Sequence, residues 1–110
     1  MPQTPLNIDV AVIGAGPAGL QAGIYTVRAK LSTVIFRSPT KQSQLETVPF
    51  VGNYLGFPDG VSGHELLELG KVHAEKYGAQ VKNEEVLKAM PLAGQNLFVV
   101  KTPAGTYHAK

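Results

Sequence analysis

The segment Asp9-Val-Ala-Val-Ile-Gly-Ala-Gly-Pro-Ala-Gly-Leu20 passes from an apolar run through closely spaced glycines straight into a helical pattern. Few folds accommodate that succession. Val10 to Ile13 carries no charge and is rich in branched side chains, the composition of a parallel strand buried on both faces. The glycines follow as Gly14-x-Gly16-x-x-Gly19. Gly14 permits a tight turn out of the strand, Gly16 lets the backbone come close to a pyrophosphate, and Gly19 lets the new helix lie hard against the sheet. Pro17 suits the first helical turn, where its missing N–H would have had no partner. Unpaired N–H groups and the positive end of the helix dipole then face the ligand's phosphates. A glycine turn without a ligand is the bland alternative, but the strand–turn–helix setting is the one that gives this spacing meaning. The stretch predicts a dinucleotide site at Gly14, Ala15, Gly16, Pro17, Ala18 and Gly19.

The following elements extend that unit. A helix is expected over Pro17–Ala29, with Ala18, Ala22, Tyr25 and Ala29 on one face, small enough to approach a sheet. Lys30 to Ser32 turns the chain, and Thr33–Phe36 is a second strand, giving residues 9–36 the size of a right-handed βαβ unit. The residue closing such a strand commonly is Asp or Glu, which accepts hydrogen bonds from the adenosine ribose. Here it is Arg37, followed by Ser38. Arginine can pair with a 2′-phosphate or stack on adenine, so this position by itself favours NADP; a solvated surface arginine is the alternative. Residues 38–61 read as a long loop mixing Phe50, Tyr54 and Phe57 with Gln42, Gln44 and Asn53, suited to covering a flat ligand, or else an Ω-loop over the core.

Farther along, Ser62-Gly63-His64-Glu65 is a capping box opening a helix, with Val61 and Leu66 as its staple. Leu66, Leu69, His73 and Tyr77 recur on one face and Gly78 is placed as the C-terminal cap. His64 reads as exposed and His73 as a helix-face residue, neither with a partner at metal or acid–base spacing. Gln80–Asn83 and Val86–Met90 read as a third strand with an irregular join. Leu97–Thr102 and Thr106–Lys110 form a hairpin around Pro103-Ala-Gly105.

Charge and cysteine content narrow the function classes. Ten basic and eight acidic residues leave a net charge of +2, too small and scattered to argue for nucleic acid or membrane partners. The absence of cysteine excludes disulfides, thiolate-bound metal and any redox dithiol within these residues. Residues 1–7 lack the basic start of a secretory signal, and the uncharged run Val10–Tyr25 is too short and glycine-broken to span a bilayer. A cytoplasmic protein is expected, with residues 1–8 as a flexible leader and 9–110 as one domain.

The glycine segment, Ile24-Tyr25, Arg28-Ala29, Gln44-Leu45, Gly52-Asn-Tyr-Leu-Gly-Phe-Pro58 and Ser62-Gly63 together resemble the amino-terminal part of the FAD domain of bacterial thioredoxin reductases, members of the pyridine nucleotide-disulfide oxidoreductase family. The resemblance covers residues 9–110. It implies an α/β, Rossmann-like FAD/NAD(P)-binding fold in three β/β/α layers, its parallel sheet joined by an antiparallel meander, and incomplete beside the family's. It implies FAD on the glycine loop, Gln44, Leu45 and Asn53 on the flavin side, and adenine near Glu85 and Val86. Position 37 tolerates non-acidic residues in that family, so the resemblance favours FAD over NADP despite Arg37.

The family's NADPH domain and Cys-x-x-Cys centre have no counterpart in these residues. No residue is therefore assigned a catalytic role and none a metal, and electron transfer from NAD(P)H would require another chain or a redox partner protein. A non-catalytic nucleotide-binding or regulatory module and a small NADP-binding unit are the alternatives. An open strand edge at Thr106–Lys110 predicts a homodimer or complex.

Overall fold

The computed structural model describes residues 4–110. The glycine segment forms the βαβ unit anticipated for it: β2 (Val10–Ile13), α1 (Pro17–Arg28) and β3 (Thr33–Phe36). β2 and β3 pair in parallel from Val10 opposite Thr33 to Ile13 opposite Phe36, and β4 (Gln80–Lys82) pairs in parallel on the other side of β3. The sheet order is β2-β3-β4. β3 is its centre and every residue in it is buried. β2, expected to be buried on both faces, is only half-buried and its Ile13 is exposed, because its outer edge has no neighbour among the described residues.

The alternation of side chains along β3 builds the layers. Ile35 points to one side, into a core with Leu20 and Ile24 of α1 and Leu67 and Ala74 of α2 (Gly63–Lys76). Val34 and Phe36 point to the other, against Val100 and Tyr107. Those two belong to β6 (Phe98–Thr102) and β7 (Gly105–Ala109), which with β5 (Lys88–Pro91) form the antiparallel meander. The result is helices, parallel sheet and meander in succession, the three-layer β/β/α arrangement. Phe36 and Tyr107 meet edge to face across the two sheets with ring centroids 5.0 Å apart.

Several local expectations change. Leu6–Ile8, assigned to a flexible leader, is strand β1, paired in parallel with β7 from Leu6 opposite Tyr107 to Ile8 opposite Ala109; the leader expectation for Met1–Gln3 lies outside the described residues. β1 thereby covers the β7 edge on which self-association was expected. The third strand is two strands in different sheets, β4 and β5, with residues 83–87 crossing between layers. α1 turns Leu20, Gly23 and Ile24 inward and leaves Ala18, Ala22, Tyr25 and Ala29 exposed. Gly23 is where the helix comes closest to the sheet, since a Cβ there would overlap the Ile35 side chain. α2 likewise buries Gly63, Leu66, Leu67 and Ala74, while Leu69, His73 and Tyr77 are exposed. Its cap forms as anticipated on the Ser62 side, whose Oγ accepts from the Glu65 N–H at 3.1 Å. The reciprocal bond from the Glu65 side chain is absent among the described residues. The 38–61 loop contains a 3₁₀ turn at Gln44–Thr47 and a bridge between Val51 and Val61.

Candidate functional site

β2 ends at Ile13, and Gly14 turns the chain with φ +113°, a left-handed conformation that glycine adopts without strain. Its N–H donates to the Phe36 carbonyl at 3.0 Å, so the turn is tied to the end of β3. Gly16 caps α1 with no side-chain bond, Pro17 stands in the first turn, and the first helical bond runs from the Leu20 N–H to the Gly16 carbonyl. The N–H groups of Ala15, Gly16, Ala18 and Gly19 have no partner among the described residues. Such bare amides at the positive end of a helix attract an anion.

A cavity of about 620 Å³ opens against this turn, within the range of small-ligand sites. Gly14, Ala15 and Gly16 form one wall; Arg37 and Ser38, at the end of β3, form another. The other eight anticipated positions do not line it. Pro17 and Ala18 are exposed on the first turn of α1, Gly19 packs behind the turn against Gly14, and Asn53 is exposed on the loop. Gln44 is exposed on the 3₁₀ turn and Leu45 packs into the helix-side core, while their neighbours Ser43 and Glu46 do line the cavity. Glu85 is half-buried, and Val86 packs between the two sheets; Asn83, at the exit of β4, faces the cavity in their place.

Arg37 is held rather than free. Its Nε donates to Asn83 Oδ1 at 2.8 Å, and its Nη1 lies 3.4 Å from Glu68 Oε1 on α2. The cavity therefore has charged groups of both signs, with Lys41, Lys71 and Glu46 also on its walls. His64, exposed as expected, bonds through Nδ1 to the Glu46 carboxylate, a partner far from it in sequence. That carboxylate raises the imidazole pKa above its ordinary value near 6.5. Glu46 and His64 stand 18 residues apart, on the 3₁₀ turn and the first turn of α2. No periodicity relates such positions, so pattern reading has no signal for the pair.

A group whose pKa rises on folding stabilises the folded state below its unfolded value, and that gain is lost as pH climbs through the folded value. His64→Ala is therefore expected to lower the Tm at about pH 5.5 and to leave it unchanged at about pH 9. Thermal melts of both proteins across that range check it.

No protein-family model matches the chain. It is 36% identical over 102 residues to the bifunctional thioredoxin reductase/thioredoxin of Mycobacterium leprae, a match covering 93% of this chain and 22% of that protein. Its fold superposes on a thioredoxin reductase from Gloeobacter violaceus with a TM-score of 0.86 and 30% identity, over 94% of this chain and 32% of the other. Over nearly its whole length the chain is similar to one part of the thioredoxin reductases. A third likeness is to the ferredoxin-flavin thioredoxin reductase of Clostridium acetobutylicum, with a TM-score of 0.76 and 35% identity over 96% of this chain and 36% of that one. The chain thus spans between about a fifth and about a third of the length of these relatives. Among the described residues no helix is long and apolar enough to cross a membrane, and no three His, Cys, Asp or Glu side chains cluster to hold a metal.

Proposed function

We propose that this chain is the nucleotide-gripping part of an FAD-dependent oxidoreductase of the thioredoxin reductase kind, in the cytoplasm. The observation that carries the proposal is the glycine turn: an uncapped helix N-terminus with four unpartnered amides beside a cavity large enough for the adenosine diphosphate half of FAD. A diphosphate would fit there because the donors are backbone amides on glycines and alanines only, and the space in front of Gly14 is open. Gly14, Ala15, Gly16, Ala18 and Gly19 would hold the diphosphate, and Arg37 and Ser38 would flank the adenosine. The flavin would then extend beyond the cavity toward Gln44, Leu45 and Asn53, with Glu85 and Val86 near adenine. FAD supplies the hydride and electron chemistry, and the protein binds and orients it. These residues contain no cysteine, so a redox dithiol would come from outside them. The relative from Clostridium acetobutylicum carries flavin in its name, which supports the choice of cofactor. Association with another strand would occur at the open β2 edge, since β7 is already covered by β1.

FAD added to the purified protein is expected to bind saturably, with a change in flavin fluorescence. Gly16→Val, which puts a branched side chain before the amides and against Ser43 Oγ, is expected to weaken binding by at least about a hundredfold. A protein that takes up no FAD sinks the proposal. Arg37, Lys41 and Lys71 on the cavity walls favour a second reading, an NADP-binding unit, and tighter binding of NADP than of FAD would establish it.

A further inference from the structure

We infer that Glu68 of α2 takes the role of ribose-diol acceptor in this cavity, and that its hold on Arg37 makes the cavity select an adenine nucleotide with a free 2′-hydroxyl over one bearing a 2′-phosphate. The inference rests on the cavity being a dinucleotide site. A site of this architecture uses a carboxylate beyond its second strand to accept from the ribose hydroxyls. Position 37, where that carboxylate would stand, is arginine. The fold brings another carboxylate to the same place: Glu68 lines the cavity beside Arg37, with Nη1 and Oε1 3.4 Å apart.

The arginine fork is engaged from two directions. Nε donates to Asn83 at the end of β4, and Nη1 reaches Glu68 on α2. A 2′-phosphate seeking Arg37 would have to bring its own negative charge against the Glu68 carboxylate or displace it. In a partly desolvated cleft that like-charge contact is costly. A ribose hydroxyl, by contrast, can donate to Glu68 Oε2, which has no partner among the described residues. The side chains remain 34% and 43% exposed for Arg37 and Glu68, open enough for a ligand to reach both. Lys41 and Lys71 add positive charge that favours a 2′-phosphate, and the Glu68 carboxylate at Arg37 opposes it. The geometry at Arg37 decides.

Titration with ADP-ribose and 2′-phospho-ADP-ribose, which differ only in the group concerned, tests the inference on the full chain. The native protein is expected to prefer ADP-ribose. Glu68→Gln keeps the side-chain size and removes the charge. It should weaken ADP-ribose and strengthen the 2′-phosphorylated probe, moving their affinity ratio by at least about tenfold. Glu68→Asp keeps the charge but withdraws the carboxylate by one methylene, and should lose ADP-ribose affinity while still rejecting the 2′-phosphate. An unchanged ratio in a folded Glu68→Gln protein, equal loss of both probes in both variants, or native preference for 2′-phospho-ADP-ribose each overturns the inference. Those results leave FAD binding intact and so differ from failure of the cavity reading, in which the native protein binds neither probe nor FAD.

Discussion

Gly19→Ala is expected to lower stability by about 3 kcal/mol and the Tm by roughly 10–20 °C, and to abolish nucleotide binding. A Cβ at position 19 would overlap the carbonyl oxygen of Gly14 and crowd a Val12 methyl. The carbonyl is backbone and cannot rotate aside, so the helix or the turn must move. Moving the helix pulls Leu20 and Ile24 out of the core they share with Ile35. Moving the turn strains the Gly14 N–H bond to the Phe36 carbonyl and carries the unpartnered amides away from the cavity. Gly14→Ala supplies the contrast. Nothing lies within 4 Å of a Cβ there, yet its φ of +113° is disfavoured for any other residue. That substitution is expected to cost about 1–2 kcal/mol, and less than Gly19→Ala. Thermal melts of the two variants, with FAD titrations alongside, measure both effects. A Gly19→Ala protein that melts and binds like the native one would mean that the helix does not need this approach to the turn.

Phe36→Ala is expected to cost about 4 kcal/mol, the usual range for emptying a buried aromatic site. Phe36 is 2% exposed and is one of the largest fully enclosed side chains. It joins the two sheets, packing with Val34, Val100 and Tyr107 and meeting the Tyr107 ring edge to face. Such a ring pair adds about 1 kcal/mol beyond burial. Emptying it also frees Tyr107, whose hydroxyl bonds both oxygens of Glu84 and accepts from Lys82 Nζ at 3.0 Å. Phe36→Leu fills much of the space and should lose less than half as much. The readout is a pair of urea or thermal unfolding curves. Equal losses for Ala and Leu would place the stabilisation in the ring contact with Tyr107 rather than in the volume filled. Since Arg37 follows directly and Gly14 bonds to the Phe36 carbonyl, Phe36→Ala should also weaken FAD binding through the end of β3.

Much of the nucleotide turn was legible because its determinants are local. Gly14, Gly16 and Pro17 lie within one bend, so spacing along the chain nearly equals spacing in space. The Ser62 cap and the left-handed Gly78, with φ +107°, are local in the same way. So is the apolar run Thr33–Phe36, long enough in branched residues to specify a central strand.

The helix faces were harder to read, because small residues can signal either close packing or mere exposure. Ala18, Ala22 and Ala29 share spacing with one another, yet the true buried stripe is Leu20, Gly23 and Ile24, fixed by where Ile35 happens to meet the helix. The split of the presumed third strand between β4 and β5 has a similar origin. Each half pairs with strands far away in sequence, and alternation cannot say which sheet receives it.

By itself, then, the amino-acid sequence determined the βαβ unit, the bare helix start and the family resemblance, all of which depend on neighbouring residues. Tertiary structure alone decided that β1 covers β7, that His64 meets Glu46, and that Arg37 is clasped by Asn83 and Glu68. These last contacts join positions from 18 to about 100 residues apart. Their geometry exists only once the layers have packed, because hydrogen bonds and charge pairs act over a few ångströms of space whatever the separation along the chain.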